Sequence, residues 1–217
     1  MLSFVVGNEI VVGQRSFIAA VSTMALYCCC QGCNSRPAAV KPPNYDPQSF
    51  ADSILERCDS DGSGSLTEKE ADQIPGLVSR WSRYDTDKDG AITRSELESR
   101  VQEWVDRGDG IASINCVVRL KNRQIGDVQV KLIPDESLAD VIHPAETVSH
   151  VKYASFLSIP GELKPEAHRK LAGMQYGLYR VELSHPTMKL VPAAKSRGLD
   201  VGPNDQASPI RIDVERQ

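Results

Sequence analysis

Apolar residues change their spacing along this chain. Between residues 49 and 107 they recur every three or four positions: Phe50, Ile54, Leu55 and Cys58, then Ala71 and Ile74, then Leu77, Trp81 and Tyr84, and last Leu97, Val101 and Trp104. That period draws one apolar stripe along a helix. It predicts helices on both sides of two polar stretches, with Leu77, Trp81 and Tyr84 on a single helix entering the second. Pro75 and Gly76 predict that the helix leaving the first stretch stops near Ile74. After Gly108-Asp109-Gly110 the period falls to two. Ile114, Cys116, Val118 and Leu120 alternate with Asn115, Val117 and Arg119, and Val128, Val130 and Leu132 with Gln129, Lys131 and Ile133. Further strands are predicted at 151–159, 178–184 and 210–214, with one or two helical turns in a crossover loop at 163–172. Short strands with polar turns indicate a small β-sandwich or barrel. The predicted fold class is α+β and multidomain, a helical pair followed by an antiparallel β-sandwich.

The first 48 residues differ again. Arg15 precedes an uncharged apolar run, 16–30, too short for a comfortable transmembrane helix and matching the apolar region of a secretory signal. Residues before Arg15 read as the product of an early start codon. Cys30-Gln-Gly-Cys33 ends the run and resembles a bacterial lipobox, with Gly32 before the Cys that would be lipidated. Cys30 departs from the aliphatic residue usual three positions earlier. Residues 1–33 are thus expected to be a signal peptide with a lipobox at Cys33. Pro37, Pro42, Pro43 and Pro47 make 34–48 an extended Pro-rich linker. The implied location is outside the cytoplasm, periplasmic or in the cell envelope, on a membrane through a lipid anchor at Cys33.

Composition changes this picture little. The net charge of −4 argues against a general nucleic-acid or anionic-membrane surface. Four of the six cysteines, Cys28, Cys29, Cys30 and Cys33, cluster in the signal region without a second zinc-ligand pair. Cys58 and Cys116 both fall on apolar faces. A buried free thiol is the favoured state of Cys58, although an exported location permits a Cys58–Cys116 bridge.

The candidate chemistry lies in the two polar stretches. They read Asp59-Ser-Asp-Gly-Ser-Gly-Ser-Leu-Thr-Glu-Lys-Glu70 and Asp85-Thr-Asp-Lys-Asp-Gly-Ala-Ile-Thr-Arg-Ser-Glu96. Ca²⁺ takes six to eight oxygens, and a twelve-residue loop can supply them from positions 1, 3, 5, 7, 9 and 12. The first loop places Asp59, Asp61, Ser63, the Ser65 carbonyl, Thr67 (through a water) and Glu70 there; the second places Asp85, Asp87, Asp89, the Ala91 carbonyl, Thr93 and Glu96. Position 6 must turn with φ > 0, and Gly64 and Gly90 fill it. Leu66 and Ile92 at position 8 predict that the loops pair back-to-back through a short β-bridge. Surface turns also favour Asp, Gly and Ser, but two full matches flanked by apolar helical stripes are not what turns alone require.

Residues 49–107 resemble the tandem EF-hand calcium-binding family. The connection 71–84 is shorter than in calmodulin-like pairs and is similar to the short repeats of bacterial secreted proteins. Dockerin repeats are also closely spaced, but they usually end in Asp where Glu70 and Glu96 stand. Two bound Ca²⁺ are expected, in a structural or stabilising role, since no Met-rich groove is available to expose. Charge count predicts that the second loop fills first, with Asp85, Asp87, Asp89 and Glu96 against Asp59, Asp61 and Glu70.

Residues 128–136, 155–160 and 177–186 resemble the transthyretin-like, carboxypeptidase-regulatory-like domain of planctomycete-type exported lipoproteins, across 111–217. The irregular stretch 135–148 departs from that pattern and leaves the central strand order open. The resemblance implies an accessory rather than a catalytic role. His143, His150, His168 and His185 are scattered, and no metal-hydrolase, nucleophile-elbow or phosphate-loop motif occurs, so no enzyme activity is expected. The alternative is an envelope adhesion or assembly module whose sandwich binds glycan or protein. Tyr153, Phe156, Tyr176 and Tyr179 are its aromatic candidates, with core packing the plainer role for each.

Overall fold

The structure, a computed structural model, describes residues 40–217. The signal segment, Cys33 and residues 34–39 lie outside the described residues. Helix α1 spans Pro47–Cys58 and is capped by the Asp46 carboxylate, which accepts from the Gln48 and Ser49 amides. Its apolar stripe, Phe50, Ile54, Leu55 and Cys58, is buried as its spacing requires. Just before it, Tyr45 is buried and its hydroxyl donates to the Tyr176 carbonyl.

The first polar loop carries strand β1, Ser65–Thr67, and ends in a 3₁₀ turn at Glu70–Gln73, with Ile74 as its C-terminal cap. The helix expected to enter the second loop is broken into two single turns, α2 at Pro75–Val78 and α3 at Trp81–Tyr84. Ser79 Oγ donates back to the Gly76 carbonyl at 2.7 Å and Arg80 leaves helical geometry (φ −136°, ψ 36°). A hydroxyl that satisfies a carbonyl locally competes with helix continuation. Leu77 and Tyr84 are fully buried, but Trp81 only partly. Strand β2, Ala91–Thr93, leads into α4, Arg94–Arg107, which buries Leu97, Val101 and Trp104 and ends at Gly108 in the left-handed region.

The C-terminal half holds two sheets. One has the order β10 (Gly198–Val201), β8 (Gly177–Ser184), β5 (Gln129–Pro134), β6 (Ala145–Val148), all antiparallel. The other runs β4 (Arg123–Gln124), β3 (Asn115–Leu120), β11 (Ile210–Arg216), β9 (Leu190–Pro192), with β7 (Ser155–Phe156) also on β3. The molecule is therefore α+β with largely antiparallel sheets. The departure is β11, which pairs parallel to β3 and antiparallel to β9. Parallel neighbours need a long crossover, and here most of the C-terminal half intervenes. Only two residues of the strand expected at 151–159 join a ladder. Its start is held instead by Gln124, whose side-chain amide donates to the His150 and Tyr153 carbonyls. The expected helical turns at 163–172 reduce to 3₁₀ turns at Gly161–Leu163 and Glu166–His168.

Apolar residues from the helices and from both sheets join one buried cluster. Gly76 and Gly198 meet backbone to backbone, so closely that a Cβ on Gly198 would lie 2.2 Å from the Gly76 amide nitrogen. Cys58 and Cys116 are free thiols, both buried. Burial pushes the Cys116 thiol up to about 12, which keeps it protonated and inert.

Candidate metal centre

The two polar loops face each other across a three-residue antiparallel ladder, Ser65↔Thr93, Leu66↔Ile92 and Thr67↔Ala91. Leu66 and Ile92 are fully buried, so the apolar position in each loop pins it to the core while its polar residues turn outward. Gly64 and Gly90 take φ of +81° and +90°, with nothing within 4 Å of the place a Cβ would occupy. Backbone conformation, not space, demands glycine there.

Within the first loop the carboxylates collect amide donors. Asp59 accepts from the Ser63 amide at 3.1 Å and the Gly64 amide at 2.8 Å, and Asp61 from the Ser63 amide at 3.0 Å. Glu70 closes the loop: one oxygen takes the Ser60 amide and hydroxyl, the other the Thr67 amide and hydroxyl, all at 2.9–3.0 Å. The Thr67 bonds, backbone then hydroxyl, and those from Ser60 lower the Glu70 pKa to about 2. Ser63 Oγ donates to the Ser65 carbonyl at 3.0 Å.

The second loop repeats the closure. Glu96 accepts from the Thr86 amide (2.8 Å) and hydroxyl on one oxygen and from the Thr93 amide and hydroxyl (2.9 Å) on the other. Burial would raise its pKa, but these four bonds outweigh it and leave it lowered. Glu96 thereby serves twice, as position 12 of the loop and as the side chain that reaches back to the start of α4. Asp87 accepts from the Asp89 amide and Asp89 from the Ala91 amide. Asp85 differs from Asp59. It is only 8% exposed, its Oδ2 accepts from the Gly90 amide and Trp81 Nε1 at 3.3 Å each, and its Oδ1 is buried with no hydrogen-bond donor.

Carboxylate oxygens converge in both loops. Oxygens of Asp59, Asp61 and Glu70 lie within 4.8 Å of one another, as do those of Asp85, Asp87 and Asp89. Oxygens bound at about 2.3–2.6 Å to one Ca²⁺ can be at most about 5 Å apart, so both groups fit one ion each. Glu96 is outside the second group and rests on its Thr donors. The donor set is all oxygen, which suits a hard cation and not zinc or copper.

Outside the loops the structure brings together residues that the sequence pattern left unremarked. Asp200 on β10 is 1% exposed and meets Arg100 of α4 at 2.6 Å, Arg83 of α3 at 3.1 Å and the Tyr84 hydroxyl at 3.2 Å. Asp205 forks onto Arg83 with two bonds of 2.8 Å. A weaker link ties α1 to the sheets, Arg57 to Asp135 at 2.7 Å and to Glu136 at 3.3 Å. Lys164, 4% exposed, donates to Ser158 Oγ and the Leu171 carbonyl and so fastens the loop between them. The signal for Asp200 was faint: one acid inside an otherwise apolar Gly-Leu-Asp-Val run.

Tyr176 and Tyr179 are buried, whereas Tyr153 and Phe156 are 60% and 51% exposed, Tyr153 with its ring 4.3 Å from that of His150. Among the described residues no helix is long and apolar enough to cross a membrane. Comparison of the chain with protein-family models, with curated proteins and with solved structures finds no match.

Proposed function

We propose that the protein binds two Ca²⁺ in a tandem EF-hand pair at residues 49–107, with calcium in a structural role. Asp59, Asp61, Ser63, the Ser65 carbonyl, Thr67 and Glu70 would hold one ion, and Asp85, Asp87, Asp89, the Ala91 carbonyl, Thr93 and Glu96 the other. The observation that carries the reading is Asp85 Oδ1, a buried carboxylate oxygen without a donor, in a residue whose oxygens converge with those of Asp87 and Asp89. Leaving such a group unsatisfied costs about 1–3 kcal/mol, and more when it is charged. Bound calcium supplies positive charge that offsets both this desolvation and the mutual repulsion of the clustered carboxylates. The chain's own contribution is to orient: Gly64 and Gly90 turn each loop, Leu66 and Ile92 anchor it, and Glu70 and Glu96 hold its ends. Titration calorimetry of calcium into the chelator-treated protein is expected to show two sites. A Glu70→Gln, Glu96→Gln double variant that binds as tightly as the parent would overturn the assignment.

The remainder of the proposal rests on the sequence: an exported, lipid-anchored, non-enzymatic protein whose residues 111–217 form a transthyretin-like accessory domain. Export with lipidation predicts that labelled palmitate enters the chain and that Cys33→Ser abolishes it. Exposed Tyr153 and Phe156 favour a second reading in part, an adhesion module in which these rings stack on glycan or protein. A glycan array on which the parent and a Tyr153→Ala, Phe156→Ala variant bind alike would remove that support.

A further inference from the structure

Both ends of the second loop close on one buried carboxylate of a distant strand. Tyr84 and Arg83 are the two residues before Asp85, where the loop begins, and Arg100 is one helical turn beyond Glu96, where it ends. All three hydrogen-bond to Asp200, at 2.6–3.2 Å, and Arg83 continues to Asp205 in the turn after β10. There is little slack in this contact. A Cβ on Gly202 would stand 2.3 Å from Arg100 Nη2, and Gly198 at the start of β10 already touches the Gly76 backbone. The angle between α3 and α4 and the seat of β10 are thus set by the same carboxylate. Paired helices flanking a calcium loop are the elements that shift when such a loop fills or empties.

We propose that Asp200 is a coupling latch, so that occupancy of the second loop sets how firmly β10 and the following turn, Pro203–Gln206, are held on the sheet. The inference rests on the calcium reading above and adds a regulated element to it. With the loop empty, repulsion among Asp85, Asp87 and Asp89 between α3 and α4 loosens the hold of the three donors on Asp200. With the loop filled that repulsion is offset, and β10 is held more firmly. Coupling is reciprocal: weakening the latch must also weaken calcium at the second loop. The first loop has no counterpart, because its link through Arg57 reaches a partly exposed Asp135 and an exposed Glu136.

Hydrogen exchange followed by mass spectrometry on the full chain, with and without calcium, tests this. At a calcium concentration about 100 times the dissociation constant, exchange in Gly198–Val201 is expected to slow about 100-fold, because opening then requires release of the ion. Glu96→Gln should cut that slowing to about tenfold or less, whereas Glu70→Gln should leave most of it. Arg83→Gln, a partly exposed site chosen so that the fold survives, should lower both the β10 protection and calcium affinity at the second loop, with the first loop unchanged. Calcium-dependent protection in the loops with none in β10 would overturn the latch while leaving calcium binding intact. Loss of β10 protection in Arg83→Gln with unchanged calcium affinity would also overturn it, since reciprocity would be violated. No calcium response in loops or β10 would instead overturn the calcium reading beneath it.

Discussion

The two loops carry nearly the same sequence pattern and sit in different surroundings. In the first, Asp59 is half-exposed and its carboxylate is spoken for by two backbone amides. In the second, Asp85 is buried, one of its oxygens lacks a donor, and the flanking residues reach a carboxylate on β10. The contrast teaches that the spacing of carboxylates within a loop brings their oxygens together, while the packing around the loop decides what those oxygens and their neighbours touch. The flanks of loop 1 reach the sheets through a partly exposed ion pair and a backbone contact at Gly76; those of loop 2 reach them through a buried carboxylate.

The sharpest way to break this contrast is to cut each tie to the sheets. Arg100→Met is expected to destabilise the protein by ~3–5 kcal/mol in urea unfolding, because it removes the closest of the three partners of Asp200, the more buried of its two arginines, and with it a guanidinium lying 5.7–6.0 Å from the Trp104 and Tyr84 rings. Arg57→Met should cost only about 1–2 kcal/mol, between the surface and buried limits. Equal losses would mean that the two loops are equally tied. A second comparison concerns affinity. Glu96→Gln is expected to weaken calcium on the order of tenfold or more at a site of four carboxylates, and Glu70→Gln to weaken only the site of three. Calorimetry that finds the tighter site lost in Glu70→Gln would reverse the ranking.

A smaller effect should appear in acid. Burial raises the Asp205 pKa, but its bonds to Arg83 and the Gly202 amide win and hold it below the ordinary value of 3.8. A depressed folded value means that its stabilisation is fully present above about 3.8 and is lost as pH falls through the lower folded value. Asp205→Asn should flatten that part of the stability–pH curve in chelated protein, and a curve unchanged by the substitution would exclude Asp205 from the latch. The smallest effect expected is none. With Cys58 and Cys116 buried and free, reductant should leave the melting temperature where it is. A drop on reduction would reveal a disulfide.

Local features were legible from the chain. Phe50, Ile54, Leu55 and Cys58 declared a buried helical stripe, Leu66 and Ile92 their pairing, and the alternation at 114–120 a strand with Cys116 inward, because each is a spacing rule that neighbouring residues satisfy together. Legibility failed where a distant or side-chain partner intervened. Ser79 broke the helix through Leu77, Trp81 and Tyr84, Gln124 took the carbonyls that a strand through His150 and Tyr153 would have offered, and β10 was too short to announce itself. Tyr153 stays outside with the segment that Gln124 holds, and Phe156, though on β7, takes the exposed side of the strand while Ser155 is buried.

The order of oxygens in 59–70 and 85–96, the two turning glycines and the periods of the flanking stripes were settled by composition and spacing, since each loop is built from consecutive residues. The burial of Asp85, the parallel pairing of β11 with β3 and the meeting of Arg83, Tyr84 and Arg100 at Asp200 required the whole fold. Those contacts join residues 100–117 positions apart, and no local pattern can show which buried charge awaits another until packing removes the water between them.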